Sequence, residues 1–597
     1  LVRKGRLAAL LFRIVLAVVG GYALAALASV AALALPISRP QAVLTGMLAS
    51  FAIYAGAVVW VFAACTGRGI RQTMSDLHIW AGLLAGWLLY AMFLTGTVSY
   101  FKDEISAWMR PEVRNREPVP DPAAVAQRIA DELGTVAAGS PQWSMELPTP
   151  RSNVLGAFWR LPSPEPGRRA FQSAAFDPET GHRVAARDTQ GGEFFYRFHF
   201  QFHYLSAQWG RWLAGLCAMF MLVAIVSGVI THKKIFVDFF TFRWGKGQRS
   251  WLDAHNALSV FGLPFHLMIT YTGLVTLMTL YMPWGERAAL KTPAQRLELR
   301  AQLSAFIQPG KPSGQPASLA PIADMVRQAQ DRWGRDNVGH VTVTLAGDAA
   351  ARVAVTRGEA GRTSMSPQYL LFEGTTGKLL EVRDSVGAAA EVRGVLYALH
   401  MGRFSDLQMR WLYFIVSLAG TAMVGTGLVM WTVKRRQKLP DPDRPYFGFR
   451  LVERLNIAAI AGLSVAMTAF LWGNRLLPVD LAARGSREID LFFAVWAVTL
   501  LYALARPARK AWIELLWLAA ALLALLPGLN ALTTQRPFWH SVATGDWVYA
   551  GFDLMMWALA ALHAVLAWRT MRHTGRARRA GPASRGPVRA SAAGESP

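Results

Sequence analysis

Apolar stretches of membrane-crossing length recur along the chain, separated by polar and basic segments. Runs without Asp, Glu, Lys or Arg cover 77–101, 212–231, 254–285 and 411–433. About 20 helical residues cross roughly 30 Å of hydrocarbon, so each run predicts a spanning helix. Further apolar runs at about 14–36, 42–65, 455–474, 489–505, 513–533 and 547–568 bring the expected total to about ten. Of these, 489–505 is the shortest. Two long polar segments, about 102–208 and 286–408, interrupt the central four spans.

The pattern is duplicated. HIWAGLLAGWLLYAMFLTG, opening at His78, is echoed by HNALSVFGLPFHLMITYTG, opening at His255. RWLAGLCAMFMLVAIVSG follows His203, and RWLYFIVSLAGTAMVGTG follows His400. Within the polar segments Phe176–Asp188 aligns without gaps to Phe372–Asp384, sharing Phe, Thr, Gly, Arg and Asp. A turn between β-prone residues fits both copies. The expected organisation is two N-terminal spans (1–70), repeat unit one (71–235, outer segment 102–208) and repeat unit two (236–440, outer segment 286–408). A four-helix region (441–573) and a disordered basic tail (574–597) follow.

Composition agrees with a membrane protein: 53% of the 597 residues are hydrophobic, 22 are Trp and only 17% are charged. A net charge of +24 raises the question of nucleic acid, but its distribution excludes that partner. Lys233, Lys234, Arg243, Lys246 and Arg249 share one short loop, and Lys434, Arg435, Arg436 and Lys438 another. Arg506, Arg509 and Lys510 mark a third, and the tail beyond Arg569 is Arg-rich. Such loops beside spans are cytoplasmic, which places both termini and the loops 66–76, 232–253 and 434–452 inside and the two long segments outside. Arg3, Lys4 and Arg6 before an apolar run resemble a signal peptide; the length of that run and the span after it favour an uncleaved helix. Cys65 and Cys217 fall in different spans toward opposite faces, so no disulfide is expected. Without Cys-x-x-Cys-His, covalent c-type haem and thiolate-held clusters are excluded.

Histidines at the ends of membrane helices are costly unless used. His78 and His255 open helices rising from the inner side; His203 and His400 precede helices descending from the outer side. This predicts one pair near each face, His78 with His255 and His203 with His400, suited to the axial ligation of two b-type haems. The competing reading is anchoring of helix ends at headgroup level. Arg197, Arg211, Arg410 and Trp411 stand near the outer pair, and Trp80, Arg249 and Trp251 near the inner one. His266 lies eleven residues after His255 on the same face, as a further ligand or as a partner for the kink at Pro264. His232 ends its helix beside Lys233 and Lys234, as a ligand, an electron-entry point or a cation at the helix C-terminus. His199, one turn before His203, can replace or support it. His182, His340 and His573 read as solvated, His540 lies in an outer loop, and His563 has no repeat partner. His199-x-x-x-His203 has a metal-ligand spacing, but His-Glu-x-x-His and a nearby Cys pair are missing, so the zinc signal is weak.

His78 with Trp80, Gly82 and Thr95-Gly96, the turns Thr180-Gly181 and Thr376-Gly377, the stretch from Thr231 through Arg243 to Trp251-Leu-Asp-Ala-His255-Asn, and Leu399-His400-Met-Gly-Arg403 together carry a resemblance. Over about residues 72–438 the chain resembles the PepSY-associated transmembrane family, also described as iron-regulated membrane proteins. The resemblance implies an α-helical polytopic protein of the bacterial inner membrane, with two small α+β PepSY-like periplasmic domains in duplicate. It also implies a haem-containing oxidoreductase that moves electrons from the cytoplasmic side to a periplasmic ferric siderophore or other ferric chelate. No GxGxxG fingerprint is present, so the donor is expected to be a quinol or a separate cytoplasmic reductase. A PepSY-type regulatory module without redox activity and a siderophore or metal permease are the alternatives; intramembrane carboxylates for proton coupling are nearly absent, Asp553 standing alone.

Overall fold

The computed structural model describes residues 15–572 except 65–68, 114–119, 150–154, 162–170, 178, 233–238, 241, 242, 244, 246, 306, 308, 309 and 443. Arg3, Lys4, Arg6, Cys65, Lys233, Lys234, Lys246, His573 and the tail lie outside the described residues.

Among the described residues nine helices are long and apolar enough to span a membrane, and a bent pair makes a tenth. They are Leu16–Ala34, Arg39–Ala64, Ile70–Ser99, Ala207–Thr231, Leu407–Arg436, Phe447–Leu476, Arg484–Ala505, Ala508–Thr533 and Trp547–Arg572. The short run at 489–505 is the end of a helix of 22 residues. Its first turns carry Arg484 and Glu488, charges that cut the apolar run short but are buried as a pair. The helices descending from the sheet are capped: Ser206 accepts from the Trp209 N–H and Asp406 from the Met409 N–H.

The run at 254–285 departs from one straight span. Gln248–Phe261 and Leu263–Thr276 meet at 68°. Gly262 stands at the break and Pro264 begins the second helix, where its missing N–H and its ring interrupt the ladder. A Cβ at Gly262 would lie 2.5 Å from the His266 ring, so glycine at the break leaves room for that ring.

The two outer segments are not separate lobes. Their strands form one antiparallel sheet in the order β3-β2-β1-β4-β5-β6-β7. The strands are β1 (Gln142–Glu146), β2 (Leu155–Arg160), β3 (Phe171–Phe176), β4 (Val338–Thr344), β5 (Arg352–Arg357), β6 (Tyr369–Glu373) and β7 (Leu379–Arg383). The seam is β1 on β4, with Trp143 opposite Val343 and Met145 opposite Val341. Left apart, each half would expose a row of unpaired backbone groups along that edge; pairing removes both edges. Helices Pro122–Val136 and Ile322–Trp333 share one core with the sheet, joining Ile129 and Leu133 to Met325, Val326, Trp143, Trp159, Val353 and Phe372. The duplicated turns match in detail. Gly181 (φ +76) donates to the Asp177 carbonyl and Gly377 (φ +72) to the Glu373 carbonyl, at 2.8 and 2.9 Å. Left-handed φ at these positions is what glycine supplies.

Because the core is shared, damage in one half should reach the other. Ile129→Ala should cost about 2–5 kcal/mol, as for large-to-small core changes. Hydrogen exchange should then show loss of protection in β4–β6 as well as in β1–β3. Loss confined to residues 120–176 would mean that the halves fold independently.

Candidate functional site

Two membrane helices and the two short helices that lead into the following spans bring histidines together in two pairs. At the end away from the sheet, the His78 and His255 ring centroids are 6.2 Å apart and their planes cross at 70°. At the sheet end, His199 and His400 stand 6.1 Å apart with planes at 28°.

His203 is not the partner of His400. Helix Glu193–Gln201 ends two residues after His199 and two before His203, with Phe202 as C-cap at φ 57. The matching helix Ala388–Met401 ends one residue after His400, with Gly402 at φ 61. His199 and His400 therefore both sit in the last turn of their helices, one residue out of register, while His203 falls beyond the helix and lies on Phe493, 5.6 Å away at 21°. Counting back from the following spans aligned His203 with His400, but the links 202–206 and 402–406 are equally long, and in both copies it is the last helical turn before the link that carries the ring.

All four paired imidazoles are held alike. His78 Nδ1 meets the Ala224 carbonyl at 2.8 Å, His255 Nδ1 the Met423 carbonyl at 2.9 Å, His199 Nδ1 the Met92 carbonyl at 2.6 Å and His400 Nδ1 the Ile269 carbonyl at 3.0 Å. A carbonyl only accepts, so Nδ1 carries the proton and the lone pair is left on Nε2. Each of these carbonyls lies four residues before a glycine that makes room for the ring. A Cβ would stand 3.1 Å from the His78 ring at Gly228, 3.2 Å from His255 at Gly427, 2.7 Å from His199 at Gly96 and 3.0 Å from His400 at Gly273. The residue before each glycine is Thr95, Ser227, Thr272 or Thr426, whose hydroxyl donates to a carbonyl of its own helix. Thr272 and Thr426 also approach the Nδ1 of His400 and His255, at 3.2 and 3.4 Å. These Ser/Thr-Gly pairs were visible as the shared ending of all four repeated strings, yet nothing in sequence tied them to the rings. Burial pushes the His400 imidazole down to about 3, with neighbouring His199 adding to it, and burial also lowers His199, so both are neutral near pH 7.

The other candidates are dispersed. His266 is fully buried against Phe93 at 6.5 Å, and its ring nitrogens make no hydrogen bond of ordinary geometry. His232 caps the helix Ala207–Thr231, beyond the inner pair. Arg211 donates to Gln201 Oε1 at 3.0 Å, and Arg410 pairs with Glu104 at 2.5 Å. His563 donates to the Leu559 carbonyl of its own helix at 2.8 Å, so it is satisfied in place.

A cleft opens at the outer pair, enclosing about 1190 Å³ of empty space including its mouth. His199, His400, Gly96, Gly273, Phe93 and Met221 lie in its wall, with Lys102, Tyr196 and Arg403 also lining it. An imidazole nitrogen meets a metal at about 2.0–2.1 Å and the ring centre lies about 1 Å beyond, so two rings on one metal stand roughly 6 Å apart. Both pairs have that separation. Among the described residues no group of three or more His, Cys, Asp or Glu gathers as a metal site. Such pairs suit a metal that brings its remaining ligands with it, as haem iron does.

Two span–outer segment–span units, joined through one sheet and meeting in paired imidazoles, define a multi-pass membrane protein built by internal duplication. The chain belongs to the PepSY-associated TM region family, whose profile matches residues 75–434. No curated protein matches the chain.

The shared cradle is open to test. Spectra of metal-free protein labelled with 15N-histidine should show His78, His255, His199 and His400, along with His563, protonated at Nδ1 near neutral pH. Gly96→Ala, whose methyl would lie 2.7 Å from His199 Nδ1, should shift the His199 signal and leave those of His78 and His255 in place. An unshifted His199 would mean that the glycine is not what seats the ring.

Proposed function

We propose that the protein is a haem-containing membrane oxidoreductase that takes electrons from a donor on the Lys- and Arg-rich side and delivers them to a ferric chelate on the sheet side. The observation that carries this reading is the set of four imidazoles held in one tautomer, in two facing pairs at opposite ends of the bundle. Metal-ligating histidines characteristically donate their other ring N–H to a carbonyl, which fixes the ring and raises the basicity of the ligating nitrogen. Four rings serving only as helix anchors would not need this common cradle.

In this reading His78 with His255 and His199 with His400 hold two b-type haems. Each bound haem supplies a reversible one-electron ferric/ferrous couple. The chain's own part is positional: carbonyls of Ala224, Met423, Met92 and Ile269 orient the rings, and Phe93, Met221 and their neighbours keep water from the slot. Lys102 and Arg403 at the mouth offer cations for anionic groups. Iron is the substrate on the sheet side, where reduction to the softer ferrous ion loosens its hold on a hard-oxygen chelator. On this reading both termini lie in the cytoplasm of a bacterial cell and the sheet in the periplasm, and the basic loops support that sidedness.

Purified protein should show a Soret band and, once reduced, sharp α and β bands of low-spin six-coordinate iron. His199→Ala and His400→Ala should each remove or convert one of two components, while His203→Ala leaves both. Anaerobic mixing of reduced protein with ferric siderophores should reoxidise it and yield ferrous iron. Reduced bands that persist with every ferric chelate but vanish with a quinone would keep the electron carrier and overturn its substrate.

Sidedness has its own check. A reporter fused near residue 340 should behave as periplasmic and one fused after residue 572 as cytoplasmic. The reverse pattern would invert the direction of electron flow.

A further inference from the structure

The family match ends at residues 75 and 434, leaving two spans before it and four after it without a role. We infer that these two added regions are holding devices for the outer imidazole pair, one for each of the helices that carry it. The inference rests on the outer pair being the functional site proposed above.

The helix Ala388–Met401 carries His400 and has no side-chain cap of its own at Gly387. Its first N–H groups are taken up by a residue of the second N-terminal span instead. Gln41 Oε1 accepts from the Ala389 and Ala390 N–H groups at 2.6 and 3.4 Å. A Cβ on Gly387 would stand 2.1 Å from the Gln41 amide, so the chain makes room for this contact. Ala389 and Ala390 then pack into the same apolar cluster as Val43, Leu44 and Met47.

The helix Glu193–Gln201 carries His199 and is held from the other added region. Glu488 is fully buried and accepts from Arg484 at 2.5 Å, from Asn474 at 2.8 Å and from Thr189 at 2.5 Å, just ahead of the helix. Arg484 also donates to the Asp188 carbonyl at 3.2 Å, and the Gly485 N–H to the Asp188 carboxylate at 3.0 Å. Beyond this polar knot Phe194 and Phe195 meet Phe470 at 5.0 and 5.3 Å, and Phe198, next to His199, meets Phe492 at 5.9 Å. A buried ion pair adds little net stability over apolar packing, so a pair that also binds the lead-in of one particular helix is better read as fixing its position. Gln41, Arg484 and Glu488 are thus positioning residues for His400 and His199. The C-terminal region also reaches the helix of His78, where Trp87 donates to Asn456 Oδ1 at 2.8 Å, but that contact falls mid-span, nine residues past the ring, and not at the start of a short ring-bearing helix.

The test uses full-length protein with Gln41→Ala, Gln41→Glu and Glu488→Gln. Gln41→Glu keeps the accepting oxygen and serves as the conservative rescue. Hydrogen exchange is the first readout and needs no bound group. Losing a helix-terminal acceptor should speed exchange about tenfold at 388–392 in Gln41→Ala, and loosening the Arg484–Glu488–Thr189 knot ahead of the helix should speed it at 193–197 in Glu488→Gln. Electron paramagnetic resonance is the second: the component assigned to the outer pair by His400→Ala should shift in g-values and midpoint potential, the other component should stay, and Gln41→Glu should restore the wild-type signal. Unchanged exchange and an unchanged outer signal in all variants would overturn the inference. So would an equal shift of both components, which indicates general loosening. Wild-type protein without haem would overturn the proposed function, and the exchange data would still decide whether the two regions hold these helices.

Discussion

The hydrogen bond from histidine Nδ1 to a main-chain carbonyl four residues before a glycine is the contact on which the bundle is organised. Helix carbonyls are normally committed to the N–H four residues on, and a side chain can share one only by coming close to the backbone. Glycine permits that approach because it lacks a Cβ, and the contacts at Gly96, Gly228, Gly273 and Gly427 show how little space remains. The preceding Ser or Thr hydroxyl turns back to its own helix, adding a polar group beside the shared carbonyl. Apolar surroundings enforce the arrangement: an imidazole with an unmade bond would be expensive in hydrocarbon.

Duplication then does the rest. Gly96 and Gly273 each stand 18 residues after the histidine that opens their helix. Each unit therefore holds its own two rings on its own two glycines, and the pairs form where the units meet. The sheet repeats this logic outside the bundle, since the two halves meet along β1 and β4 and close each other's edge. Both interfaces are ones in which a half presents what its copy lacks. This ties the unit-to-unit geometry of the sheet to that of the rings.

Much of this was legible from residue order. Spanning helices are set by length and apolarity, and among the described residues nine appear where runs predicted them, the tenth run forming the bent pair, because a bilayer admits few other solutions. His78, His255 and His400 were identifiable from register alone. His199 was not favoured over His203 because the copies differ where a helix ends: Gly402 closes one and Phe202 the other, both with positive φ, a conformation that sequence flags in glycine and hides in phenylalanine. The single sheet was hidden for another reason, since strand pairing between segments some 200 residues apart leaves no local pattern. The bend before Leu263 was half visible in Pro264; the need for Gly262 emerges only once the His266 ring is placed against it.

The cations near the outer pair divide by burial. Arg410 was a natural candidate for an anionic ligand group, yet its side chain is only 9% exposed and its guanidinium lies 2.5 Å from Glu104. Separating a pair that deep strands a charge in a poor solvent, a loss of several kcal/mol. Arg410 is therefore part of the frame, tying the span Leu407–Arg436 to the short helix Lys102–Trp108 through Glu104. Lys102 with Glu193 and Arg403 with Glu359 are 22–35% exposed and reach into the cleft. Against the pull of burial, Glu359 holds Arg403 firmly and keeps its guanidinium well above the usual value, so the Lys102–Glu193 pair at 3.1 Å is the one more open to an incoming carboxylate. Glu193 opens the helix whose last turn carries His199, and Arg403 follows the helix whose last turn carries His400. An anion drawn to these two side chains would thus meet the outer rings through the same two helices that carry them.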